Sequence, residues 1–344
     1  MEENGQEKNS LNKENDSMSS TMVKSGGNFP LMKISSRQLM VLGGLGLLII
    51  MPIIARYNNS DNSSLESIVI KKEETITKNP FEALVLEAKA VYVLDVAKGK
   101  VLYSYNENTR MPLASLTKIM TALVASEMVP QSTVVSVKAE DIALEGDSGL
   151  LTNERWRLSD IIDFTLMTSS NDGASAIASV AGSLGQVEYD TPAKIAKKSF
   201  VARMNEKAQE MGLFSTYFLN ETGLDKNSFV SGAYGTARDV AYLMLYAISS
   251  KTPFLEATTF SKTSITSLSN ISHTATNTNS SVNAIPGLIA SKTGFTELAG
   301  GNLVIAFDAG FGKPIVISVL GSSIEGRFSD IEKLSKASLT AITQ

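Results

Sequence analysis

Three short clusters hold the residue types that acyl transfer uses. Ser115-Leu116-Thr117-Lys118 sets a hydroxyl and an amine three residues apart, on one face of a helix if the segment is helical. A serine hydroxyl is a weak nucleophile until a base removes its proton. A lysine amine can do so once desolvation or neighbouring positive charge holds it neutral. At a helix N-terminus the backbone N–H groups and the dipole also favour the negative charge that develops on attack. Ser169-Ser170-Asn171 offers a hydroxyl and an amide, able to shuttle a proton and to hydrogen-bond a peptide. Lys292-Thr293-Gly294 adds a positive charge, a hydroxyl that can bond a carboxylate, and a glycine beside which a substrate backbone can approach. On an edge strand this last segment would take an extended peptide as an added strand. Each cluster alone has a plainer reading: a serine N-cap with a solvent-facing lysine, a capped break between helices, a surface lysine beside a turn glycine.

Composition narrows the chemistry. The chain has 344 residues, no cysteine and one histidine. That leaves no thiol nucleophile, no disulfide framework and no usual zinc ligand set. A Ser-His-Asp triad would need His273 as its base, and His273 sits in ISHTATNTNSS, a polar stretch that reads as loop. Lysine is the first candidate base, and neither a metal nor an organic cofactor is expected. Charged residues make up 19% and the formal net charge is -4. A mixed, slightly acidic surface argues against a nucleic-acid partner.

The clusters must be positioned by a folded domain, and the chain is not uniform. Residues 1–38 are polar and are expected to be a disordered arm. Residues 39–55, LMVLGGLGLLIIMPIIA, carry no charge. They would span roughly 26 Å as a helix, the short end of a bilayer crossing. Lys24, Lys33 and Arg37 precede the segment, which places the N-terminus in the cytoplasm and the remainder outside, as a single-pass membrane protein. A cleaved signal peptide is the competing reading, but Ile53 does not suit a cleavage site ending at Ala55. Residues 56–79 read as a stalk, and 80–344 as one catalytic domain with two lobes.

Within that domain, residues 90–106 predict two strands around a Lys-Gly turn, and a helix follows Pro112. Helices are expected over 158–167, opened by Ser159 and Asp160, and from Asp172 as cap through about Val180. Further helices are expected over SFVARMNEKAQEMG, closed by Gly212, and from Thr236 with Asp239 completing a capping box. GLIASKTG, GNLVIAFDA and KPIVISVLG read as strands, followed by a last helix over 327–342. Strands, then helices, then strands predict an α+β fold: one antiparallel sheet built from both ends of the domain, and a helical lobe from its middle. The site is expected in a cleft between the lobes.

Taken together, S-x-x-K, S-x-N and K-T-G, in that order on helix, loop and strand, resemble the motifs of penicillin-binding proteins and β-lactamases. The blocks MPLASLTKIMTALVA, MTSSNDGASAIA, GTARDVAYL and ASKTGFTELAGGNLV resemble those of D-alanyl-D-alanine carboxypeptidases, the low-molecular-mass penicillin-binding proteins. The resemblance covers about residues 80–340. It implies a β-lactamase/transpeptidase-like fold and removal of the terminal D-alanine from peptidoglycan stem peptides ending in D-Ala-D-Ala. It also implies β-lactam antibiotics as covalent inhibitors.

By the same resemblance Ser115 is the nucleophile and Lys118 the base. Ser169 relays a proton to the leaving D-alanine, and Asn171 bonds the substrate. Lys292 and Thr293, next to Gly294, hold the terminal carboxylate, and the N–H groups of Ser115 and Phe295 form the oxyanion hole. There are departures. Phe295 stands where histidine is common, a histidine often found before T-A-R-D is missing, and an N-terminal anchor is expected where relatives often use a C-terminal amphipathic helix. A β-lactamase or D,D-endopeptidase of the same superfamily, and a non-catalytic wall-binding protein, are the alternatives. The E-x-x-L-N string that a class A β-lactamase would add is not found.

Overall fold

The computed structural model of the chain describes residues 79–184 and 192–344. The expected arm, the anchor and the stalk up to residue 78 lie outside the described residues. Among the described residues no helix is long and apolar enough to cross a membrane.

Strands β1 (Ala90–Asp95) and β2 (Lys100–Tyr105) form the expected hairpin, with Gly99 supplying a positive φ of 59° in the turn. After β3 (Met111–Pro112) and a 3₁₀ turn over Ala114–Leu116 comes α1 (Thr117–Met128). The hairpin of β4 (Val134–Ser136) and β5 (Arg155–Arg157) leads to α2 (Leu158–Thr168), α3 (Asn171–Leu184) and α4 (Ala193–Glu210). Next are β6 (Tyr217–Phe218), β7 (Ala233–Gly235), α5 (Ala237–Ile248), β8 (Lys262–Thr266) and β9 (Ser272–Thr276). The domain closes with β10 (Leu288–Thr296), β11 (Gly300–Asp308), β12 (Pro314–Ser322) and α6 (Gly326–Thr343).

Both ends of the domain meet in one five-stranded sheet, ordered β10-β11-β12-β1-β2 and antiparallel throughout. This is the expected α+β arrangement. Alternation along the strands buries the sheet on both faces. Val91, Val93, Ile305, Ile317 and Val319 pack with Phe328, Ile331 and Leu334 of α6. Tyr92, Leu94, Val304, Val316 and Leu320 face the other way, in the core that holds α1, α2 and α5. K-T-G lies on β10, whose outer edge is unpaired in this sheet.

Helix α1 is central to the helical lobe, and its first nine residues are all buried. A helix enclosed on every side carries its lysine into the core with it, so Lys118 is 0% exposed. The cap details differ in part from expectation. Gly212 (φ +73°) ends α4 as expected, in a Schellman arrangement in which Leu213 N donates to Ala208 O and Gly212 N to Gln209 O. Thr236 caps α5 by accepting from Asp239 N at 3.0 Å. Ser170, not Asp172, caps α3: its Oγ accepts from Gly173 N at 2.8 Å. His273 was expected in a loop but lies on β9, paired across from Ile265.

Candidate active site

The segment that carries Ser115 is held by β7 and β11. Leu113 N donates to Ala233 O, tying it to β7. Asn302, fully buried on β11, donates from Nδ2 to Pro112 O and Leu113 O at 3.0 and 3.1 Å, while its Oδ1 accepts from Gly321 N. Ala114 then takes a positive φ of 49°, and its carbonyl accepts from Thr117 Oγ1 at 2.7 Å. For a residue other than glycine that conformation costs on the order of 1 kcal/mol or more, so the surrounding bonds must enforce it. It turns Ser115 into the 3₁₀ turn ahead of α1.

Two glycines let other segments close on this turn. A side chain carbon at Gly223 would sit 1.9 Å from Ala114 O, and one at Gly294 would sit 3.1 Å from Ser115 N. The 222–225 loop and β10 therefore both abut the turn that carries Ser115. Arg327, buried at the start of α6, donates to Gly294 O at 2.8 Å and braces β10 from behind.

Lys118 Nζ lies 2.9 Å from Ser115 Oγ, 2.7 Å from Asn171 Oδ1 and 2.8 Å from Thr222 O, donating to each. Burial pushes its pKa down to about 7, against the opposing pull of the Glu221 and Asp172 carboxylates. Asn171 also donates from Nδ2 to Glu145 O at 2.7 Å, which leaves one N–H of its amide for another acceptor. Ser169 ends α2 in the left-handed region, φ +62°, and its Oγ accepts from Lys292 Nζ at 2.9 Å. The S-x-N loop thus reaches both lysines, Asn171 to one and Ser169 to the other.

Behind that loop lies a buried polar network. Ser170 Oγ donates to Ser148 Oγ at 2.7 Å, and Ser148 Oγ to Asp172 Oδ2 at 2.6 Å. Such a network fixes the turn that carries Ser169 and Asn171. Lys292, 1% exposed, also donates to Thr293 O. Its pKa is held well below the usual lysine range by burial, then by the charges of Lys118 and Arg327. Thr293 Oγ1 bonds Thr278 Oγ1.

All the residues expected at the site are thus brought into one centre. Direct side-chain bonds join Lys118 to Ser115 and Asn171, and Lys292 to Ser169. Thr293, Gly294 and Phe295 continue the strand past Ser115. Sequence reading did not single out Asn302, Arg327, Thr222 or Ser148. Asn302 had a signal: one amide between Gly-Gly and an apolar run marks a buried polar position on a strand. Arg327 and the Thr222 carbonyl had none. His273 stands apart from the expected centre: its Nε2 pairs with Glu154 Oε1 at 2.8 Å, packed against Trp156 and Phe164. Among the described residues no group of acidic and histidine side chains could hold a metal ion.

A serine hydroxyl bonded to a buried lysine, a hydroxyl-amide loop and a second lysine on an edge strand are the groups that serine acyl transfer uses. Residues 74–323 match the family model described as D-alanyl-D-alanine carboxypeptidase, and the chain belongs to that family. It is 30% identical over 260 residues to the D-alanyl-D-alanine carboxypeptidase DacF of Bacillus subtilis, covering 72% of this chain and 61% of that one. A D-alanyl-D-alanine endopeptidase of Pseudomonas aeruginosa is 31% identical over 226 residues, covering 64% of this chain and 67% of that one. The crystal structure of a D-alanyl-D-alanine carboxypeptidase of Mycobacterium tuberculosis superposes with a TM-score of 0.64 at 25% identity, over 74% of this chain and 92% of that one.

Proposed function

We propose that this chain is a serine D,D-carboxypeptidase that removes the terminal D-alanine from peptidoglycan stem peptides through an acyl-enzyme on Ser115. The observation that carries this reading is the set of partners around Lys118. Asn171 Oδ1 and Thr222 O can only accept, so they take both N–H groups of a neutral amine. The lone pair is left for the partner with a proton to give, the Ser115 hydroxyl.

The steps follow from these groups. Lys118 takes the Ser115 proton as Oγ attacks the carbonyl carbon of the penultimate D-alanine. The carbonyl oxygen becomes an anion facing the N–H groups of Ser115 and Phe295. The C–N bond breaks, and a proton returned through Lys118 and Ser169 leaves with D-alanine as its amine. Water then attacks the ester, releasing the shortened peptide as an acid and restoring the Ser115 proton. Lys292 and Thr293 hold the substrate carboxylate, an anion that favours the protonated form of Lys292, with the buried Arg327 guanidinium adding positive charge behind the strand. β-Lactams would acylate Ser115 as covalent inhibitors.

Incubating the chain with a D-Ala-D-Ala pentapeptide should release D-alanine, and Ser115→Ala should abolish release. No release by the wild type would sink the reading. Relatives named endopeptidases favour a second activity on cross-linked peptides, which a cross-linked muropeptide in the same assay would reveal. For residues 39–55 we retain the membrane anchor with a cytoplasmic N-terminus, supported by their uncharged composition and the lysines and arginine before them. Recovery of the full-mass chain in the membrane fraction is the expected result. A shortened, soluble product would mean cleavage.

A further inference from the structure

Both peptide units that would face the oxyanion carry a donor at their carbonyl end. The Ser115 N–H shares its peptide with Ala114 O, which accepts from Thr117 Oγ1 at 2.7 Å and from the Thr117 backbone N–H. The Phe295 N–H shares its peptide with Gly294 O, which accepts from Arg327 Nη1 at 2.8 Å. In a trans peptide the C=O and N–H point in opposite directions. Arg327 therefore stands at the opposite end of that peptide from the group its N–H would bond.

The chain places this arginine by short-range bonds. Strand β12 ends at Ser322 and α6 begins at Gly326, whose N donates to Ser323 Oγ at 2.8 Å and closes the turn between them. A side-chain carbon at Gly301 would collide with Ser323 O, so glycine there lets the turn lie against β11. Gly301 is paired across from Phe295, which sets the turn level with the end of K-T-G. Asp330, in the next turn of α6, is fully buried. It accepts from Glu87 N, Ala88 N and Ser322 Oγ, and so fixes the start of the helix.

A brace on a backbone carbonyl needs a donor but not a charge. Arg327 is 7% exposed, and its Nε is buried without a partner. Among the described residues no carboxylate forms a salt bridge with it. The ring of Phe328, 4.7 Å from the guanidinium carbon, is a weak substitute. Burying a cation in this way costs far more than burying a neutral donor. What the charge adds is polarisation. A charged donor makes a bond about twice as strong as a neutral one, and bonded groups in a low-dielectric interior polarise one another. Electron density drawn toward Gly294 O leaves the Phe295 N–H a stronger donor.

We propose that Arg327 is a positioning residue of the oxyanion hole: its charge acts through the Gly294–Phe295 peptide and strengthens the Phe295 N–H bond to the developing oxyanion. The proposal rests on the acyl-enzyme reading and adds no chemical step to it.

The test compares the full chain in detergent with Arg327→Lys, which keeps a cation, and Arg327→Gln, which keeps an N–H donor without the charge. The first readout is the ester carbonyl stretch of the penicillin adduct on Ser115, picked out by infrared difference spectra with an isotope label at the lactam carbonyl. Hydrogen bonds to that oxygen lower its frequency. Only acylated molecules contribute to the band, so partial unfolding does not enter. Arg327→Gln should shift the band to higher frequency, and Arg327→Lys should return it toward the wild-type position. The second readout is D-alanine release from a D-Ala-D-Ala peptide. Arg327→Gln should lower kcat and kcat/KM together by about tenfold with KM unchanged, less than the roughly 10²–10³-fold of losing an oxyanion donor outright. Arg327→Lys should recover most of that loss. An unshifted band in Arg327→Gln, or equal effects of the two substitutions, would reduce Arg327 to a brace and overturn the proposal. A raised KM with kcat unchanged would overturn it as well, and would assign Arg327 to the substrate carboxylate beside Lys292. Failure of the underlying reading looks different: the wild type would carry no adduct on Ser115 and release no D-alanine, and the proposal would fall with it.

Discussion

Lys118 Nζ and Ser115 Oγ stand 2.9 Å apart, and protonation of the lysine decides which of them donates. With pKa near 7, the amine is largely neutral above that pH and takes the serine proton. Below it, the third N–H points at Oγ and no lone pair remains. The acylation rate is therefore expected to rise with pH through about 7 and then level off. Lys118→Arg keeps a charge but no accessible lone pair, and should slow acylation by about 10²–10⁴-fold. Stopped-flow labelling by a fluorescent penicillin across pH checks both.

The same shift acts on stability. The folded pKa of Lys118 lies below the unfolded value of 10.5, so between about 7 and 10.5 the unfolded chain binds more protons. Stability then rises with pH in that window, and the cost of burying the charge is full below it. Relative to Lys118→Met, the wild type should gain up to about 2 kcal/mol between pH 7 and 9, read by urea unfolding.

Lys292 is assigned the substrate carboxylate. Lys292→Met should lower kcat/KM for a D-Ala-D-Ala peptide by about 10²-fold. A peptide ending in a carboxamide should be a poor substrate for the wild type and lose little more in the variant. Parallel steady-state assays with the two peptides measure this difference. Equal losses on both would remove the carboxylate role.

Gly223 and Gly99 both have positive φ, at 82° and 59°, but only Gly223 is crowded. Gly99→Ala meets open space and should cost about 1 kcal/mol, the backbone strain alone. Gly223→Ala must also displace Ala114 O, and should cost about 3 kcal/mol or more and impair labelling of Ser115. Urea midpoints of the two variants make the comparison.

His273→Gln should leave penicillin labelling intact, since His273 bonds Glu154 and not Ser115. It should lower stability by about 1–3 kcal/mol, because the Glu154 side chain is fully buried and its hydrogen-bond partner is replaced. Labelling rate and urea midpoint together separate the two roles.

Much of this site was legible because its clusters are local. Ser115 and Lys118 are one helical turn apart, and Ser169 and Asn171 share one inter-helix turn, so spacing alone carries their geometry. Short apolar runs bounded by turn residues likewise announced β1, β11 and β12. Asn302 and Arg327 act across the sheet on residues far away in sequence, where no local pattern records the contact. His273 was misread because β8 and β9 alternate between exposed and half-buried residues of mostly polar type, with Ala275 the one buried residue. Such a hairpin lacks the apolar stripe by which strands are recognised. The cap of α3 was misplaced because Ser170 and Asp172 are both good capping types, and the choice depends on Ser148, which takes the aspartate.

The most direct test is intact-protein mass spectrometry of the full chain after brief exposure to a penicillin, with peptide mapping of the adduct. The account predicts one covalent addition, mapped to Ser115, present in the wild type and absent from Ser115→Ala. No adduct, or an adduct on another residue that persists in Ser115→Ala, would contradict it.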